Sequence, residues 1–160
     1  MNLGIALEDV QRAEIALGTQ LLALAQRHGF EADVYHLGLA RADICVEHLA
    51  RLRPLLDKYE AGVVADADPP GLAERLRQPI PAPGDRMAPT GLALLAYLRD
   101  AYADAHRAEI SWIMVQQAAK ATRDTELLGV AGPCLEETEQ TWKWLRTRVK
   151  DSAPEALATK

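Results

Sequence analysis

The sequence is short of aromatic residues: one Phe accompanies four Tyr and three Trp in 160 residues. Ala and Leu dominate instead, so strand-forming side chains are scarce and helix formers abundant. Cysteine is nearly absent; Cys45 and Cys134 alone exclude a disulfide framework. No apolar run approaches the ~18–20 residues that span a bilayer, so no membrane association is expected. No basic cluster stands out and the formal net charge is −5. Nucleic acid is therefore not expected as the main partner. There is no glycine-rich phosphate loop and no Ser-His-Asp or nucleophile-elbow pattern. The start, Met1 to Leu7, lacks the basic residues, apolar run and cleavage site of a secretory signal, which makes the expected location cytoplasmic.

What is present has the period of helices. Val10, Ala13, Leu17, Leu21 and Leu24 recur every three or four residues, predicting a first helix over Glu8 to His28 that Gly29 stops. A second is predicted from Asp33, its N-cap, through Leu37, Ile44, Leu49, Leu52, Leu56 and Tyr59 to a stop at Gly62, bent at Pro54. Residues 63–89 carry six prolines and read as a long crossover, with a short helix over Gly71 to Gln78. Thr90 caps a predicted third helix running to Ala121. The fourth runs from Asp124 to Lys150, interrupted by Gly129, Gly132 and Pro133, with Pro133 restarting it. Two hairpins with short turns, joined by one long link, predict an all-α, antiparallel ferritin-like four-helix bundle. The bundle domain is expected over 1–150 and a flexible C-terminal tail over 151–160.

Polar residues fall on the inward stripes. Glu14 lies among Val10, Leu17, Leu21 and Leu24; Glu109 lies among Tyr102, Ala105, Trp112 and Gln116. Cys45 and His48 precede Leu52, and Glu137 lines up with Val130, Cys134, Thr141 and Trp144, with Gln140 one turn further. Burying an unpaired carboxylate costs several kcal/mol, so each of these needs a partner, a proton or a metal. Dimetal bundles take one Glu from each of two helices and Glu-x-x-His from each of the other two. Here Glu14 with Cys45 and His48, and Glu109 with Glu137 and Gln140, reproduce that frame, with Cys replacing a Glu and Gln replacing a His. Other polar residues have plainer readings: His106 flanks the core, and His36, Asp43 and Glu47 form a solvated face. The thiols act as small apolar groups, and Trp112, Trp142 and Trp144 as packing residues.

The stretches AEISWIMVQQAA from Ala108, RDTELL from Arg123, CLEETEQTWKWL from Cys134 and TRVKDSAPEAL from Thr147 resemble bacterial ferritin-like proteins of the stress-associated YciE/YciF type. Glu14 and the run His36, Cys45, His48 extend the resemblance more loosely to the first half. It implies a ferritin-like bundle, often dimeric, that binds metal without a settled reaction. Glu14, His48, Glu109 and Glu137 match ligand positions; Cys45 and Gln140 occupy the other two. Two function classes follow. One is a metal-binding protein holding iron, zinc or manganese, with redox or stress-related activity. The other is a metal-free structural or interaction protein with a relict polar core.

Overall fold

A computed structural model describes residues 2–64, 74 and 91–158. Among these residues there are four long helices and no strand: α1, Leu3–Arg27; α2, Ala32–Leu56; α3, Gly91–Thr122; and α4, Thr125–Ala158. A 3-10 turn, Asp57–Tyr59, extends α2. The predicted helix over 71–78, the Thr90 cap and nearly all of the predicted crossover lie outside the described residues. No described helix is long and apolar enough to cross a membrane.

Helix α1 packs on both α2 and α3, α3 packs on α4, and α2 meets α4 along a thinner seam. The inward stripe of α1 is the one its period predicts: Val10, Ala13, Leu17, Leu21 and Leu24 are all buried. Opposite them α3 presents Ala101, Ala105 and Ala108, so the large side chains of one helix fill the space left by small ones of the other. Leu37 does not turn inward as predicted and is 38% exposed. The inward phase of α2 runs through Val34, Gly38, Ala42 and Cys45 instead. A Cβ at Gly38 would stand 3.1 Å from the Ala25 side chain, so this position sets how closely α1 and α2 approach.

The helix ends depart from glycine punctuation. The α2 segment ends on Glu60 (φ 55°), not on Gly62, and α3 ends on Arg123 (φ 56°). In each case the next amide reaches back five residues, Ala61 N–H to the Leu56 carbonyl and Asp124 N–H to the Ala119 carbonyl. That pattern satisfies carbonyls at a helix C-terminus even without glycine. Asp33 is not the N-cap of α2; Glu31 is, and Asp33 sits in the first turn. Asp124 caps α4 by accepting the Leu127 amide at 3.0 Å. Pro54 is exposed, and α2 runs only two residues past it. Pro133 does not restart α4, which is continuous through it and on through Ala158, past the predicted boundary at Lys150. The carbonyl that Pro133 leaves without an amide partner belongs to Gly129, an exposed residue with open surroundings where water can reach it.

Gly4 is the tightest position. A Cβ there would lie 2.6 Å from the Tyr59 carbonyl oxygen, a backbone atom that cannot swing aside. Gly4→Ala is expected to lower the unfolding free energy by about 1–3 kcal/mol, the usual range for overpacking. Urea denaturation checks this, and a neutral result would mean that the start of α1 is free to move away.

Candidate functional site

The buried apolar side chains form two clusters. One centres on Leu7, Val10, Leu52, Tyr59, Trp112 and Leu127. The other centres on Leu17, Leu21, Leu24, Leu98, Ala105 and Leu145. Between them lies a polar layer contributed by every helix.

Glu14 of α1 and His48 of α2 are both almost completely inaccessible. His48 Nδ1 is 2.8 Å from Glu14 Oε1, and its Nε2 is 2.7 Å from Glu137 Oε2 on α4. Trp112 of α3 donates its indole N–H to the same Glu14 oxygen at 2.6 Å. Arg51, one turn after His48, donates to Glu137 at 3.2 Å and links the layer to the surface. Burial alone would lower the His48 pKa; the Glu14 carboxylate and the neighbouring Cys134 side chain outweigh it and raise the pKa to about 11. His48 is therefore an imidazolium with both N–H groups donated. Burial would raise the Glu137 pKa, but hydrogen bonds from His48 and then the charges and bonds around Arg51 lower it. Cys45 is held well above the ordinary thiol range, by burial first and by Glu14 second, and stays protonated. Glu14 Oε2 is buried and accepts no hydrogen bond.

The sequence-predicted residues divide between two places. Glu14, Cys45, His48 and Glu137 come together. Glu109 belongs to another cluster: it accepts from the Trp142 indole at 3.1 Å and pairs with His106 Nδ1 at 2.8 Å. His106 in turn lies 4.9 Å from the Trp142 ring and 4.5 Å from the Tyr102 ring. Gln140 is exposed rather than inward. The buried stripe of α4 is Leu127, Ala131, Cys134, Thr138, Thr141 and Leu145, so its inward i, i+3 pair is Cys134 with Glu137, one turn earlier than predicted. His36, Asp43 and Glu47 are exposed, as their solvated-face reading requires. Two participants were not singled out for the site from sequence. Arg51 could have been found three residues after His48 on the same face, and Trp112 from the need of a buried indole for an acceptor.

A bridged dimetal centre does not fit this arrangement. The imidazole stands between Glu14 and Glu137 with a different nitrogen bonded to each, so the three do not face a common point. On α3 it is Trp112 that reaches Glu14, while Glu109 bonds Trp142 of α4. Among the described residues no group of three His, Cys, Asp or Glu side chains is arranged to hold a metal ion. No family model, curated protein or solved structure matches the chain.

Proposed function

We propose that the chain is an antiparallel ferritin-like bundle whose polar layer is closed without a hard metal, and that it serves as a structural or interaction protein. The observation that carries this reading is His48 bonded to Glu14 and Glu137 at once. With Arg51, which Glu137 shares with Glu47, it sets positive charge against Glu14 and Glu137 without an added cation. The contact pairs support the antiparallel arrangement. Along α1 and α2 they run from Gly4 beside Tyr59, through Glu14 with His48, to Ala25 beside Gly38. Lys58 meets Glu126 while Gly91 lies beside Ala156, so α2 ends at the end of the bundle opposite the start of α3.

A hard-metal reading keeps one observation in its favour, the unpartnered Glu14 Oε2. The two readings separate on protein purified without chelators. Iron and manganese are expected well below one equivalent, with no rise in melting temperature when either is added. A stoichiometric metal content, or stabilisation that disappears in Glu14→Ala, would establish the hard-metal reading instead.

The homodimer implied by the family resemblance has apolar surface available. Ile110 and Met114, one turn apart on α3, are 53% and 49% exposed. A dimer by light scattering that dissociates in Ile110→Lys is the expected result; a monomer at high concentration removes the proposal.

A further inference from the structure

Away from the polar layer, one buried histidine has no polar partner for its ring. His28 is completely inaccessible, and no protein atom hydrogen-bonds to its Nδ1 or its Nε2. Aromatic edges hold the ring instead, 6.0 Å from the Phe30 centroid and 5.5 Å from that of Tyr97 on α3. A neutral imidazole so placed leaves one donor and one acceptor unmet, whereas an imidazolium leaves two donors and a charge. The backbone of the same residue ties the α1–α2 turn. His28 N–H donates to the Leu24 carbonyl at 3.1 Å, and the His28 carbonyl accepts from Glu31 N–H at 3.0 Å. The ring thus pins this turn to α3 through contacts that suit only its uncharged form.

We propose that His28 is an acid-released latch: protonation expels the ring from the Phe30 and Tyr97 contacts and frees the α1–α2 turn from α3. The charged groups around it oppose an imidazolium or are already engaged. On α1 the Arg27 guanidinium stands 5.9 Å from the centroid of the same Tyr97 ring. On the α2 side the carboxylates of Glu31 and Asp33 meet Arg148 of α4 at 3.5 and 3.2 Å. His36 of α2 is exposed, with its ring edge-on to Tyr35, and α3 brings the uncharged Tyr97. Burial first, and then the Arg27 charge, lowers the His28 pKa from its ordinary 6.5. The contribution of the neutral ring is therefore complete above 6.5 and lost as pH falls, the reverse of His48. Opening bares the cluster of Leu24, Leu94 and Leu98 on which Tyr97 packs, at the end of the bundle where Phe30 is already half exposed. His28 lies fourteen residues along α1 from Glu14, ~21 Å, so the latch does not depend on how the polar layer is closed.

Amide hydrogen exchange of the full chain, corrected for the rates of an unstructured peptide, tests the latch. Between pH 6.5 and 5.0 the protection of the His28 and Glu31 amides should fall about 15-fold, because each pH unit below the ordinary pKa favours the opened, protonated form tenfold. Leu17 and Leu21, in the middle of α1, should keep theirs. In His28→Leu, which fills the same apolar site without nitrogens, the turn should stay protected throughout. In the wild type the C2 proton of His28 should report protonation as the turn opens, a readout that stands even if the variant fails to fold. Constant protection of the wild-type turn overturns the inference. So does an equal loss in His28→Leu, an equal loss at Leu17 and Leu21, or a His28 ring that stays neutral while the turn opens.

Discussion

His48→Leu is expected to lower the unfolding free energy by about 3–5 kcal/mol, the range found when one partner of a buried ion pair is removed. The leucine has comparable bulk, so the loss is electrostatic rather than a cavity. Most of it falls on Glu14, which is fully buried and keeps the Trp112 N–H but no positive charge beside it. Glu137 is partly exposed and retains Arg51, so it contributes less. Adding Glu14→Gln should recover part of the loss, because the amide oxygen still accepts from Trp112 while the buried charge is gone. Denaturant unfolding of the two variants measures both steps. A loss below ~1 kcal/mol in His48→Leu, or no recovery in the double variant, would mean that Glu14 is not charged against His48.

The second large effect is a fall in stability on the alkaline side. The folded pKa of His48 is raised from 6.5 to about 11, so its contribution is complete below 6.5 and lost as pH climbs through the folded value. Between pH 6.5 and 9.0 the loss should be roughly 3 kcal/mol, from one extra proton held by the folded chain. Above 9.0 the raised Cys45 thiol adds a loss of the same sign, so the lower window isolates His48. On the acid side the lowered pKa values of Glu137 and Asp124 act in the opposite sense, and their contributions disappear as pH falls. Stability should therefore peak in mildly acidic solution. The measurement is the unfolding free energy against pH for wild type and His48→Leu. A variant curve parallel to wild type between 6.5 and 9.0 would show that His48 is not the titrating group.

How much of this was legible depends on how each residue type advertises its position. The α1 stripe was readable because large aliphatic residues mark its inward face, and Glu14 stands out among them. The α2 phase is hidden at Leu37 because its inward face near the turn is built of Gly38 and Ala42, small residues that carry little hydrophobic signal. On α4 the expected Glu-x-x-His spacing drew attention to Glu137 and Gln140. Burial follows Ala131, Cys134, Thr138 and Thr141, which bring Cys134 in and put Gln140 out. Glu109 does sit on a helix with an inward stripe, but sequence spacing does not say which neighbouring helix a side chain at the stripe's edge will face. The helix stops were misplaced for a related reason. Glu60 and Arg123 take up left-handed backbone that glycine was expected to supply.

The polar layer also bears on alignment. A bundle made largely of Ala and Leu offers many nearly equivalent ways to slide one rod past another by a turn, since one aliphatic contact substitutes readily for the next. Glu14, His48, Trp112 and Glu137 have no such substitutes. Displacing any helix by ~5 Å would put a charged or N–H group against hydrocarbon. The layer thus acts as a vernier mark: it adds less to how strongly the rods hold together than to the single offset at which they do so, as a lone buried polar position fixes register in a coiled coil.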